Sequence, residues 1–458
     1  MKTRPSHYNE VFKEDGEPRE AYAPLTKVIE RIGDEEFSEL SGSARERLRE
    51  LGATFPLPEE DGGRERVLPA DWIPRIIPAD HWRKISAGIL QRGKALNVWL
   101  SDLYNGDQSV VPRQVVESSV FYRDAPLPEP SVPNPIHVYG PDLVHLGDGE
   151  YVVLEDNVRI PSGVTYSEAL RWASLDVMKD LFAPYKVANG RAYYSKLRAS
   201  LEAAAPSGVR NPCIALVTRG EEDSAYFEHN RIAEACGIRL LTLADCCVEN
   251  GELRDRSDDR RIDVIYRRFD EEYLKTDLPE LEEVYENGKV CLANALGVGV
   301  ADDKAVFPYV PEMIQNYLGE EPILANAPTH SFIKPEQRDE ALSRLDELVL
   351  KPREGYGGQG LVVGPEADEG AVNEARDNAR ENPANFIAQE TLDFSTHILE
   401  DGEGSETEEA YIDLRAFVLP AADYVMPGGL TRVANPGTRV VNSSAGGRVK
   451  DTWVLEEQ

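Results

Sequence analysis

The stretch IHVYGPDLVHLGDGEYVVLEDNVRI, residues 136–160, decides how the rest of the chain is read. Two strand-like runs, IHVYGPDLVHL and EYVVLEDNV, flank a Gly-Asp-Gly turn, the pattern of an antiparallel hairpin. With Asp148-Gly149 as a two-residue turn, Gly147 faces Glu150 and, further out, Asp142 faces Glu155. A four-residue loop over 147–150 keeps that register, whereas a three-residue loop flips it. The two carboxylates then share one face with Cβ atoms about 5 Å apart, where like charges are destabilising. Asn157, two residues on, lies on the same face. A cation between these groups would remove the repulsion. A few side-chain oxygens completed by phosphate and water suit Mg²⁺. Arg159 continues the face and is placed to neutralise a phosphate or a developing oxyanion. The other reading is a surface hairpin whose carboxylates pair with arginine.

Working outward, LVLKPREGYGGQGLVVG, residues 348–364, is the second informative segment. Gly355, Gly357 and Gly360 fit G-x-G-x-x-G, but dinucleotide binding needs strand, turn and then helix. Here a β-branched run follows the glycines, so the unit reads as strand–loop–strand. Such a hairpin can close over phosphates with backbone N–H groups turned toward them, or it can be only a flexible surface hairpin. Lys351 ends the first strand, where it could offer a point charge to phosphates. Gln389 and Glu390 end the strand FIAQE, within reach of a base or ribose.

The composition constrains partners. The chain has 458 residues with 82 Asp+Glu against 50 Lys+Arg, a net charge of −32. That charge argues against nucleic acid or an anionic membrane as the main partner. Of the 50 basic residues only 14 are lysine and 36 are arginine. An acidic, lysine-poor surface is what concentrated salt favours, since screening removes self-repulsion, so a halophilic habitat is expected. The five cysteines, Cys213, Cys236, Cys246, Cys247 and Cys291, include no C-x-x-C. The seven histidines show no H-E-x-x-H, which disfavours a zinc hydrolase. No apolar run reaches the length of a membrane span and MKTRPSHYNE lacks a signal-peptide core, so a cytoplasmic protein is expected.

Helices are expected over SGSARERLRELG, ending at Gly52, and over 79–105, where apolar residues recur at three and four. The Pro126–Pro135 stretch reads as a connector. Between 206 and 295, strands and helices alternate as in an open, mostly parallel α/β domain. The segment DGEGSETEE, 401–409, reads as an acidic loop. Three regions are expected: 1–200, with the charged N-terminal helices and the hairpin; 206–295, the α/β domain; and 296–458, with the glycine hairpin and terminal strands.

In chain order these features resemble the circularly permuted ATP-grasp family, its type 2 branch. The resemblance runs through IPRIIP (73–78), VLEDNVRIPSG (153–163), SAYFEH (224–229), VIYRRFD (264–270) and NALGVGVADDKAVFPYVPEMI (294–314). It continues through LVLKP, FIAQE, DLRAFVL (413–419), GGLTRVA (428–434) and VNSSAGGRVKDTWVL (441–455). It implies an α+β, circularly permuted ATP-grasp fold around a central α/β, Rossmann-like pre-ATP-grasp domain. Region 1–200 would carry the metal-binding half of the large lobe. Region 296–458 would hold the nucleotide-binding lobe and the strands that complete the large one. It also implies that Asp142, Glu155 and Asn157 hold Mg²⁺, and that Lys304 and Lys351 hold ATP phosphates. The lid would be formed by Gly355, Gly357, Gly358 and Gly360, with Arg353-Glu354-Gly355-Tyr356 making it bulky. Gln389 and Glu390 would meet the adenosine, while Arg159 and Arg415, with Lys351, would face the transferred phosphoryl.

The implied reaction is ATP-dependent carboxylate–amine ligation through an acylphosphate, forming an amide or peptide bond. The rivals are an ATP-dependent small-molecule kinase and a non-catalytic nucleotide-binding scaffold. Tyr226, Glu228, His229, Arg267, Arg268 and Asp270 are candidates for the substrate's carboxylate and amine, or are salt bridges and caps. Asn442, Lys450 and Asp451 are candidates to complete the site, although Lys450 could equally be solvated. The expected partners are small-molecule or peptide substrates and a protein of a peptide-processing system.

Overall fold

The computed structural model describes residues 7–56, 65–132, 134–355, 360–400, 408–441 and 447–457. Gly357, Gly358, Asn442 and most of the expected acidic loop, 401–407, lie outside them.

An eight-stranded sheet organises the molecule. Its strands run in the order Ala325–Asn326, Glu150–Glu155, Asp142–Gly147, Glu409–Arg415, Leu430–Val433, Arg448–Val454 and Ala70–Ile77, with Thr396–Ile398 also pairing with Glu409–Arg415. Strands from the start, middle and end of the chain therefore interleave. Arg448–Val454 lies parallel to Ala70–Ile77, which closes the two ends of the sequence onto each other. Ala70–Ile77 is apolar on alternate positions, and the burial of both strands is nearly complete.

The hairpin at Asp148-Gly149 forms because both turn residues adopt positive φ, 48° and 76°, as a two-residue turn between twisted strands requires. Asp142 pairs with Glu155, but the strands between them follow a register offset by one: Leu143 faces Val153 and His145 faces Tyr151. Leu146 and Leu154 are the extra residues at two bulges, and their opposite offsets cancel.

The helix Ala79–Asn105 packs its apolar stripe, including Trp82, Ile85, Ile89, Leu96 and Trp99, beneath this sheet. The same apolar cluster continues through Leu143 and Val153 into Ala215, Val217 and Ile265 of a second sheet. That sheet has four parallel strands in the order Cys291–Ala293, Val264–Arg268, Ile214–Thr218 and Arg239–Thr242. Asn294 ties it to the hairpin: its Oδ1 accepts from the N–H groups of His137 and Val138 at 2.7 and 3.0 Å.

A third, antiparallel sheet orders Thr329–Ser331, Phe386–Glu390, Leu348–Pro352 and Val362–Val363. Its own small core contains Phe332, Leu342, Leu348, Leu350 and Val372. The helices Pro335–Ser343 and Glu369–Glu381 pack on it, the latter capped by Asp368, whose side chain accepts from the Ala371 N–H.

Candidate active site

The hairpin, the carboxyl ends of the parallel strands and the antiparallel sheet converge on a cavity of about 620 Å³. Asp142, Glu155, Asn157, Arg159, His229, Arg268, Asp270, Lys351, Gln389, Glu390 and Arg415 all line it. Residues up to 273 positions apart thus meet in one place.

Asp142 is buried and paired with two arginines. Arg415, opposite it in register, donates to both carboxylate oxygens at 2.7 and 2.6 Å, and Arg432 lies 2.9 Å away. Burial would raise this carboxyl, but the two guanidiniums overcome it and hold the group down at about 2. Arg432 also pairs with Asp413, its register partner. Burial holds the Asp413 carboxyl above its ordinary value, against the pull of Arg432. The carboxylates of this wall are therefore paired with arginine within the protein.

Glu155 sits beside this cluster and meets Lys304 Nζ at 2.8 Å. The same ammonium donates to the Gly355 carbonyl at 2.7 Å, joining the hairpin to the base of the glycine loop. Asn157 donates through Nδ2 to the Gly140 carbonyl at 3.0 Å, which leaves its amide oxygen out of that bond. Among the described residues no three His, Cys, Asp or Glu side chains form a closed metal cage. Asp142, Glu155 and the Asn157 oxygen do fit an open Mg²⁺ site, in which phosphate and water complete the shell.

Lys351 contrasts with these groups. It lies on Leu348–Pro352, opposite Ile387, and makes no ion pair among the described residues. Burial, reinforced by Lys304 and opposed by Glu155, pushes its ammonium down to about 8. Gln389 Nε2 donates to the Leu154 carbonyl at 3.2 Å and the Thr329 hydroxyl at 3.1 Å. Glu390 accepts from Arg344 at 2.8 Å and meets His330 at 2.9 Å.

The glycine segment is a strand–loop–strand, with Val349 opposite Val363 and Leu350 opposite Val362. Gly360 has φ +69°, a conformation that favours glycine. At its base Arg353 is buried and paired with Asp303 at 2.7 and 2.9 Å. The bulk noted at the start of the loop is thus partly an internal anchor.

Arg159 is held by Asp302 at 2.9 Å and Asp270 at 3.3 Å, over the ring of Phe121. His229 is buried against the Thr218 hydroxyl at 2.8 Å. Burial and Arg268 push it down to about 2, so its ring is neutral. Arg268 donates to the Pro161 carbonyl at 2.9 Å and to the Ser162 hydroxyl.

Tyr226, Glu228, Arg267, Lys304, Lys450 and Asp451 stand apart from the cavity wall, Lys304 joined to it through its bond to Glu155 and Asp451 paired with Arg171 at 2.7 Å. Glu228 is fully buried and accepts from the Gly163 and Thr165 N–H groups at 2.8 and 3.2 Å, where it caps a helix. Arg267 is buried and donates to the carbonyls of Phe269 and Asn294. Tyr226 is half-buried at the start of its helix. Lys450 is neither solvated nor in the cavity. It is buried on the opposite face from cavity-lining Val449, against Asp71 and the carbonyls of Ile73 and Ile398.

Asp413, Arg432 and Asp302 enter the site without having been singled out in the sequence. Period-two alternation offered a signal for one of them: Asp413 lies two residues from Arg415 on the same strand, hence on the same face.

The carboxylate hairpin, the lysine-bearing antiparallel sheet and its glycine loop, set around one cavity, define an ATP-grasp architecture. The family model for circularly permuted ATP-grasp type 2 matches residues 74–434, and the chain belongs to that family. It is 40% identical to an uncharacterized protein of Synechocystis sp., over 98% of this chain and 97% of that one. It is 37% identical to the protein named "Putative glutamate--cysteine ligase 2-2" of Frankia casuarinae, over 98% of this chain but 54% of that longer protein. In fold it is similar to a glutathione synthetase-like effector of Globodera pallida, with a TM-score of 0.59 and 12% identity, over 92% of this chain and 98% of that one. Among the described residues no helix is long and apolar enough to cross a membrane.

Proposed function

We propose that the chain is an ATP-dependent carboxylate–amine ligase acting on small-molecule or peptide substrates. The observation that carries this reading is the facing of Lys351, a cation with no ion pair among the described residues, across one cavity from the Asp142–Glu155 pair and Arg415. A wall ammonium without an ion pair among the described residues, in a chain of net charge −32, is suited to an anionic ligand. The ligase name carried by the Frankia relative supports the reaction class.

In this reading Lys351 and Lys304 hold the phosphates of ATP and the strand end at Gln389–Glu390 meets its adenosine. The lid glycines, Gly357 and Gly358 among them, close over the triphosphate. Asp142, Glu155 and Asn157 would hold Mg²⁺, which supplies charge neutralisation on the phosphates. Arg159 and Arg415 stand where charge develops as a substrate carboxylate attacks the γ-phosphate. ADP leaves and an acylphosphate remains; an amine then displaces phosphate, and an amide bond replaces the acyl–oxygen bond. Positioning and charge stabilisation are what this chemistry asks of a protein. Arg268 and Asp270, both on the cavity wall, offer the substrate opposite charges.

Hydroxylamine trapping tests the reading. A hydroxamate formed together with ADP from a carboxylate substrate is the expected result. ADP with a stable phosphorylated product would instead assign a kinase, and nucleotide binding without turnover across a carboxylate–amine screen would assign a scaffold.

A further inference from the structure

A second cavity, of about 380 Å³, lies outside the ATP-grasp site. It sits between the helix Val164–Val177, the chain from Phe182 to Tyr194 and the turn Met426–Gly429. Its volume falls in the usual range for small-molecule pockets, about 300–1,000 Å³.

Aromatic and aliphatic groups make most of the wall, chiefly Trp172, Phe182, Tyr194 and Met426. Two of the wall's ionisable groups differ sharply in how they are satisfied. Arg171 is spent: its Nε donates to Asp451 at 2.7 Å, and its other nitrogens donate to the carbonyls of Thr452 at 2.6 Å and Ala188 at 3.3 Å. Glu168 is half-buried and makes no ion pair among the described residues. Its Oε2 accepts from the Tyr194 hydroxyl at 2.8 Å, and among the described residues no hydrogen bond uses Oε1.

Burial holds this carboxyl above its ordinary value, with Tyr194 and Arg231 pulling the other way. Arg231 does not pair with it; that guanidinium lies over Trp172 at 5.2 Å and is bonded to Glu234 at 2.5 Å. Arg191, also on the wall, is exposed. The cavity wall therefore presents a carboxylate among aromatic side chains, with no cation paired to it among the described residues.

We propose that this cavity binds an organic cation, a primary ammonium carried on an apolar, aromatic body. The ammonium would pair with Glu168 Oε1, and the body would lie against Trp172, Phe182 and Met426. Aromatic faces add cation–π attraction to the ion pair. The inference is independent of the ligase reading, because no residue of the proposed nucleotide or metal site lines this cavity.

Calorimetric titration of the full chain with 2-phenylethylammonium tests it. Saturable binding is expected, with 2-phenylethanol, its neutral counterpart, weaker by about tenfold or more. Glu168→Gln, which keeps the shape, should weaken the amine by about tenfold and leave the alcohol unchanged. Trp172→Ala, at a position 36% exposed, should weaken the amine and retain the melting transition, so it carries the test if Glu168→Gln does not fold. Equal affinity for amine and alcohol, or an amine affinity unchanged in the folded variants, would overturn the proposal. So would a response confined to a lysine-rich peptide, which would assign a protein partner instead.

Discussion

On the hairpin wall of the cavity, Asp142 meets Arg415 at 2.6 Å and Arg432 at 2.9 Å, while Asp413 completes a four-residue cluster. On the facing sheet, Lys351 makes no ion pair among the described residues, and burial pushes it down to about 8. Both walls place charge at reduced exposure, which costs free energy. The hairpin wall offsets that cost within the protein, whereas the sheet wall leaves it for an anionic ligand to offset. In the proposed reading the arginine cluster serves the fold and Lys351 serves binding. The two walls should therefore fail differently when altered.

The largest expected effect is on the hairpin wall. Asp142→Ala leaves Arg415 without its register partner and Arg432 with only Asp413. It should cost about 3–5 kcal/mol of stability, read from urea unfolding. A loss below about 1 kcal/mol would mean that the cluster does not hold the sheet together. Lys351→Met should reverse the pattern. It removes a costly buried ammonium, so stability should change by less than about 1 kcal/mol. Nucleotide turnover should fall on the order of 100-fold, near 2.7 kcal/mol in the barrier. Undiminished turnover in both Lys351→Met and Glu155→Gln would remove the proposed nucleotide site.

Acid should also act on the hairpin side. His137, at the entry to the hairpin, is buried, bonded to the Ser200 hydroxyl at 2.9 Å, and pushed down to about 4 by burial. Its folded value lies below the ordinary one near 6.5, so the fold prefers the neutral ring. The stability it contributes is complete above about 6.5 and is lost as pH falls from there toward 4, by about 1.4 kcal/mol per unit. His229 and His397 are depressed in the same direction, so wild type alone does not isolate His137. Its share is the difference in urea midpoints between wild type and His137→Gln, compared at pH 7 and 5.5. Equal acid sensitivity in the two proteins would exclude His137 as a source.

The hairpin also shows how far a sequence can be read. Asp148-Gly149 announces the turn through its tolerance of positive φ, and Asp142 does face Glu155. The path between them could not be read, because Leu146 and Leu154 bulge without any compositional mark and only their cancellation restores the pairing. The arginine alternative and the metal alternative were both open from spacing. The structure gives Asp142 two arginines, and the carboxylate retains lone pairs for a cation. Lys450 was illegible for another reason. Its partner Asp71 lies 379 positions away, on a strand that joins it only because the chain's ends meet in one sheet. Local pattern reports turns, periodicity and faces. Pairing between distant strands is fixed by topology, which no window of sequence contains.

Salt should have the smallest effect on the site and act on the rest of the molecule. The buried pairs Arg75–Glu10, Arg92–Asp156, Arg353–Asp303 and Lys450–Asp71 each match one cation with one carboxylate. They consume equal numbers of the two signs, and most of the excess of 32 negative charges lies on side chains that are not buried. Screening shortens the reach of surface charge from about 10 Å at 0.1 M to about 3 Å at 1 M, and affects buried pairs far less. Raising KCl from 0.1 to 2 M should therefore lift the melting temperature of wild type and of Asp142→Ala by the same few degrees, leaving the gap between them intact. A melting temperature indifferent to salt would remove the salt-adapted reading of the composition. A gap that closes with salt would show that the Asp142 cluster is open to solvent, and that the two walls differ less than their geometry indicates.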